Sequence, residues 1–190
     1  MTFRQRLAGR LLRMAGWRIE GHPPDRRRFV LIAAPHTSNW DLALMLLMSV
    51  RYEVPIRWLG KESLFRGPVG WLLRRVGGIP VRRSEPSQLV AHLAEMFEER
   101  DEFVLVVAPT GTRSRTDHWK SGFYRIAEAA SVPIVCGYLD YATKVGGFGP
   151  EVLPSSDVRA DMDRIREFYA RKQGRYADRV GDIRLRDESD

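Results

Sequence analysis

Apolar and polar positions along the chain change period repeatedly, and each change predicts an element. Residues 29–34 are a short, partly β-branched apolar run that reads as a buried strand. Residues 42–50 form a longer run rich in Leu and Met, which reads as a helix. Further strands are expected over 55–60, 103–107 and 132–139, and the wholly apolar 103–107 suits a central parallel position. Helices are expected over 2–18, over 86–100 with Leu89, Leu93, Met96 and Phe97 as its stripe, from Trp119-Lys120-Ser121-Gly122 to about 131, and from Ser155-Ser156-Asp157 to about 172. Pro80 places the extended segment before Arg82 and Arg83 at an edge or in a loop. Gly146-Gly147 and Gly149-Pro150 predict turns around a hairpin, and Asp187-Glu188-Ser189-Asp190 reads as a frayed end. Strands alternating with helices predict one α/β domain over 1–190, with a mostly parallel central sheet flanked by helices. Within it lie an N-terminal amphipathic helix in 1–20, a core over 28–140 and a C-terminal helix over 155–173.

On a helical wheel Phe3, Leu7, Leu11 and Met14 fall within an arc of about 80°, with Arg6, Arg10 and Arg13 beside it. Such a helix, with Trp17 on its apolar side, can dock on a membrane surface or pack on its own domain. Residues 64–76 mix Leu64, Phe65, Val69, Trp71, Leu72 and Leu73 with Arg66, Arg74 and Arg75, and have the same two readings.

Composition narrows the class. The 190 residues are 44% hydrophobic and 29% charged, as expected of a globular domain. No apolar run reaches the roughly 18 residues that span a bilayer, and no signal-peptide pattern opens the chain. The single cysteine, Cys136, lies inside a predicted strand and reads as core; it suits a reducing, cytoplasmic setting. An excess of 31 Lys and Arg over 24 Asp and Glu, net +7, favours phosphate substrates, anionic lipid or nucleic acid. Nucleic acid has that charge alone in its favour, without a recognised binding motif, and is not expected as a partner.

Candidate chemistry concentrates in Pro35-His36-Thr37-Ser38-Asn39-Trp40-Asp41, where a strand hands over to a helix. On one helix, His36 and Asp41 would be about 140° apart and could not easily touch. With His36 in the loop and Asp41 in the first helical turn, the imidazole can fold back onto the carboxylate, giving a base with an orienting partner. Ser38-x-x-Asp41 equally matches a capping box, with His36 a plain loop residue. Two other loops, 60–63 and 108–114, also follow predicted strands, so in a parallel sheet all three converge at one edge. They bring Lys61, Thr110, Thr112, Arg113 and Lys120 toward the pair, with Arg83 a further contributor. A base among cations suits a hydroxyl-bearing substrate that also carries a phosphate. There is no Gly-x-Ser-x-Gly elbow and no phosphate-loop motif. His22, His36, His92 and His118 lack ligand spacing, so no metal is expected.

His36-Thr37-Ser38-Asn39-Trp40-Asp41 resembles the His-x-x-x-x-Asp motif of the glycerolipid acyltransferases, the 1-acylglycerol-3-phosphate acyltransferase family. Gly78-Ile79-Pro80-Val81-Arg82-Arg83 resembles their second block. Pro109-Thr110-Gly111-Thr112-Arg113-Ser114, followed by Lys120-Ser121-Gly122, resembles the third, and Val132-Pro133-Ile134 the fourth. The resemblance implies transfer of a fatty acyl group from an acyl-CoA or acyl-carrier-protein thioester to a lysophospholipid hydroxyl at the cytoplasmic face of a membrane, without a bound cofactor. His36 would be general base, Asp41 its orienter, and Arg83, Arg113 and Lys120 the grip on the acceptor phosphate, with Gly111 letting the backbone approach. Thr110 stands where the third block usually has glutamate, so the site is more positive, and the expected acceptor is one other than lysophosphatidic acid or is chosen with relaxed selectivity. A lipid- or phosphate-binding protein with a degraded site is the alternative.

Overall fold

The computed structural model describes residues 1–81, 86–186 and 188. The strands are β1 (Arg18–Glu20), β2 (Arg28–Ala34), β3 (Ile56–Lys61), β4 (Gly78–Val81), β5 (Phe103–Val107), β6 (Ile134–Asp140) and β7 (Val145–Val152). They form one sheet in the order β1-β7-β6-β2-β5-β3-β4. All neighbours are parallel except β6 and β7. The helices are α1 (Phe3–Met14), α2 (Trp40–Tyr52), α3 (Gly67–Arg75), α4 (Pro86–Glu98), α5 (Gly122–Ala129) and α6 (Val158–Tyr169).

Alternation along β2 divides the core. Val30, Ile32 and Ala34 face a cluster with Leu93, Phe97, Phe123 and Ile165, from α4, α5 and α6. Phe29, Leu31 and Ala33 face the other side, with Leu42 and Met45 of α2 and Leu73 of α3. Period-2 alternation therefore buries β2 on both faces, as the apolar run predicts. Pro80 sits in β4, the edge strand, where the missing N–H costs no ladder bond.

The N-terminal helix is shorter than expected. It ends at Met14, Gly16 adopts φ +78°, and Arg18–Glu20 leaves to pair with Val145–Gly147. Trp17 therefore lies off the helix and is buried with Leu12, Leu44 and Met48. The helix packs through Ala8, Gly9 and Leu12, while the predicted apolar arc faces outward: Phe3 is 78% and Met14 84% exposed. At the other end of the chain, Gly146, Gly147 and Gly149 are strand residues of β7, and the hairpin turn comes earlier, at 141–144. Close packing requires them there. A Cβ on Gly147 would lie 1.9 Å from the Glu20 carbonyl oxygen, and one on Gly149 would lie 2.2 Å from Phe168. Of the terminus expected to fray, Asp187, Ser189 and Asp190 fall outside the described residues. Glu188 pairs with Arg166 at 3.2 Å.

Candidate active site

β2 delivers the chain to the sheet edge, where a cis Ala34–Pro35 peptide opens the loop that carries His36. Asp41 lies in the first turn of α2. His36 Nδ1 is 3.0 Å from Asp41 Oδ2, which also accepts the backbone N–H of Thr37 and of Ser38, each at 3.0 Å. The other oxygen, Oδ1, accepts the Tyr141 hydroxyl at 2.6 Å. Asp41 is thus partner of the histidine, but the reciprocal half of a capping box is missing: the N-cap of α2 is Asn39, whose side chain makes no cap hydrogen bond. Ser38 N–H donates to its carboxylate, while Ser38 Oγ accepts from Trp40 N–H at 3.2 Å. The histidine–carboxylate reading of the motif matches this geometry, whereas the capping-box reading does not, because the Ser38 hydroxyl caps Trp40 N–H rather than Asp41 N–H.

The Asp41 side chain is only 7% exposed. Burial opposes its charge, but hydrogen bonds from His36, Tyr141 and the Ser38 backbone outweigh that and hold the carboxyl below its ordinary value. An ionised carboxylate facing Nδ1 places the imidazole proton there and leaves Nε2 as the basic nitrogen, a tautomer assigned from the network.

A cavity of about 810 Å³ opens at this pair and extends between α2 and the sheet. Its walls are mainly apolar, among them Leu31, Met45, Met48, Trp58, Val106 and Phe148. Lys61 at the end of β3 lines it, as do Gly111, Thr112 and Arg113 from the loop after β5. Arg113 donates to Asn39 Oδ1, which ties that loop to the histidine loop. Gly111 closes a tight turn with φ +64°, its N–H donating to the Ala108 carbonyl at 2.9 Å. Lys120 N–H donates to the Pro109 carbonyl at 2.9 Å, and its ammonium lies 3.4 Å from where a Gly111 Cβ would stand.

Over residues 18–139 the chain matches the Acyltransferase family. It belongs to that family. Its curated relatives include the 1-acyl-sn-glycerol-3-phosphate acyltransferase of Streptococcus pneumoniae (strain ATCC BAA-255 / R6), 26% identical over 59% of this chain and 42% of that protein. They also include 1-acyl-sn-glycerol-3-phosphate acyltransferase beta of Homo sapiens, 31% identical over 63% and 45%. The matched stretch therefore spans less than half the length of these relatives. The fold resembles the crystal structure of the 1-acyl-sn-glycerophosphate (LPA) acyltransferase, PlsC, from Thermotoga maritima. The TM-score is 0.59 with 18% identity, covering 87% of this chain and 74% of that one.

In this member of the acyltransferase family, the three loops expected to converge do so. His36, Asp41, Lys61, Gly111, Thr112 and Arg113 line one cavity. Thr110 turns away from it. Its hydroxyl donates to the Thr112 carbonyl at 2.7 Å, and the residue lines a separate crevice of about 30 Å³ behind His36, opposite Arg179. Arg83 lies outside the described residues. Among the described residues no group of three His, Cys, Asp or Glu could hold a metal ion.

Two contributors escaped the sequence reading. Tyr141 lies 100 residues from Asp41 and carries no local signal beyond being an aromatic just past a strand. The segment after α6 folds back over the site: Tyr176 N–H donates to Thr37 Oγ1 at 3.3 Å, and Leu185 is buried beside Trp119. Gly174 has no room for a side chain, since a Cβ there would lie 2.8 Å from Thr37.

Proposed function

We propose that this chain transfers a fatty acyl group from an acyl-CoA or acyl-carrier-protein thioester to the hydroxyl of a 1-acylglycerol-3-phosphate or a related lysophospholipid. One observation carries the reading: the His36–Asp41 pair lines a largely apolar cavity, and Lys61 and Arg113 line that same cavity. An acyl chain suits the cavity, and a phosphate suits the cations, with Arg83 and Lys120 as further expected partners. His36 Nε2 takes the acceptor hydroxyl proton as the oxygen attacks the thioester carbonyl. The tetrahedral adduct collapses, the C–S bond breaks, and the imidazolium returns the proton to the departing thiolate. Asp41 holds the tautomer and stabilises the imidazolium. No acyl-enzyme forms.

The purified protein is to be assayed with thioester donors of both carriers and a mixture of lysolipids, products being read by mass spectrometry. His36→Ala should lower kcat by about 10²–10⁴ while the protein stays folded. Equal transfer by the variant refutes the base assignment, and no transfer by the wild type leaves a lipid-binding role.

Membrane contact is part of the same proposal. Phe3, Leu7, Leu11 and Met14 on α1, Trp40 on α2, and Val69, Trp71 and Leu72 on α3 are all exposed. These helices pack on the same face of the sheet as the cavity, and arginines interleave with their apolar side chains. Among the described residues no helix is long and apolar enough to cross a membrane. A peripheral position on the cytoplasmic face of an anionic bilayer fits this layer. Vesicle flotation should show binding that weakens in Trp71→Ser; equal binding by that variant removes α3 from the contact.

A further inference from the structure

Asp41 is held on both oxygens, and the two sides are built differently. Oδ2 is engaged by its own loop, through His36 and two backbone N–H groups. Oδ1 is engaged by Tyr141, from the turn between β6 and β7. We propose that Tyr141 is a positioning residue of the acyl-transfer site, locking the Asp41 carboxylate so that Oδ2 stays aligned with His36 Nδ1. The proposal rests on the reading of His36 as the general base.

The phenol is itself fixed from three directions. Its backbone N–H donates to the Gln173 carbonyl at 2.9 Å. The preceding residue, Asp140, is buried and accepts from Ala142 N–H at 3.2 Å, Gln173 N–H at 3.1 Å and the Thr143 hydroxyl at 2.7 Å. The Tyr141 ring stands edge-on to buried Trp17, with centroids 4.9 Å apart and planes at 88°. A turn, the C-terminal segment and the residue before β1 thus fix the backbone and ring that carry the hydroxyl.

The chemistry favours a phenol there. A carboxylate with one free oxygen can rotate about its last torsion, which for such groups is broad. A neutral donor on Oδ1 stops that rotation without cancelling the negative charge that Oδ2 presents to the imidazole. A lysine or arginine would orient Asp41 equally well but would oppose the imidazolium that forms during transfer. The groups that face the pair include His36, Thr37 and Ser38 from the loop, Trp17 on one side, and Arg175 acting on Tyr141 from the C-terminal segment.

Tyr141→Phe keeps the ring and its contact with Trp17 and deletes only the hydroxyl. Its kcat should fall about ten- to a hundred-fold, with KM for donor and acceptor unchanged. The Asp41 carboxyl, followed by ¹³C NMR in the protein without substrate, should titrate at a higher pH than in the wild type. His36→Ala is run in parallel. If that variant is inactive while Tyr141→Phe keeps wild-type kcat, or leaves the Asp41 titration unmoved, the positioning role is overturned and the base assignment stands. A lowered melting temperature without those two changes makes Tyr141 merely structural and overturns the role as well. If His36→Ala retains full transfer, the base assignment falls and the positioning role falls with it.

Discussion

Ser49→Phe tests whether the cavity beneath α2 measures the acyl chain. Ser49 lines the cavity two turns beyond Asp41, and its hydroxyl only donates to the Leu46 carbonyl of its own helix, at 2.9 Å. At about 1.5 Å per residue, α2 advances about 12 Å from Asp41 to Ser49 and about 16 Å to Tyr52. Tyr52, at the C-terminal end of α2, and Phe148 meet edge to face at 5.0 Å, and both line the cavity. An extended chain, with single bonds of about 1.5 Å in a zigzag, advances about 1.25 Å per carbon. An acyl chain lying along α2 from Asp41 to Tyr52 would extend about 13 carbons, and one stopped at residue 49 about 10. Three methylenes left unburied cost about 2.4 kcal/mol, at about 0.8 kcal/mol each. That predicts a loss of about sixty-fold in kcat/KM for donors longer than the shortened cavity, relative to those that still fit. Equimolar donors of graded chain length, competed in one reaction and read by mass spectrometry, measure the ratio directly. A folded Ser49→Phe protein with the wild-type chain-length profile would refute the placement of the acyl chain.

Two further outcomes follow from the loops. The Asp41 carboxyl lies below its ordinary 3.8 in the folded chain, so its charged form stabilises the fold fully above that value. This contribution is lost as the pH falls through the lower folded value, so the melting-temperature gap between wild type and Asp41→Asn should close in that acid window. Melts at stepped pH check it, and a gap independent of pH contradicts the sign. Thr110→Glu would put a carboxylate in the crevice lined by His36 and Arg179 and should narrow the acceptor profile toward 1-acylglycerol-3-phosphate, read by competing several lyso-acceptors in one reaction. An identical acceptor profile would remove Thr110 from specificity.

Legibility followed range. Pro80 limits its segment to an edge or a loop, and the apolar run of 29–34 marks a buried strand, because both follow from local chemistry; the sheet order then places β4 at the edge and buries β2 on both faces. The apolar arc of α1 was legible, but not its direction. Periodicity finds a stripe without saying what covers it, and in the fold Ala8, Gly9 and Leu12 on another face make the contact with α2. Local chemistry assigns the glycines of β7 to turns, whereas the approach of the Glu20 carbonyl and the Phe168 ring from distant segments is what requires them.

What the sequence determined by itself is the alternation of strand and helix, the strand-to-helix corner at His36 and Asp41, and the set of cation-bearing loops at one sheet edge. Each rests on a period of two or 3.6 residues, or on a spacing of a few positions, and the backbone imposes these locally. Only the tertiary structure decided which side chain holds Asp41 from behind, that Thr110 faces a crevice apart from the cavity, and that the C-terminal segment closes over Thr37. Those contacts join segments far apart in the chain. They exist because β6 lies beside β2 in the sheet and α6 returns across it, an adjacency that no local pattern encodes.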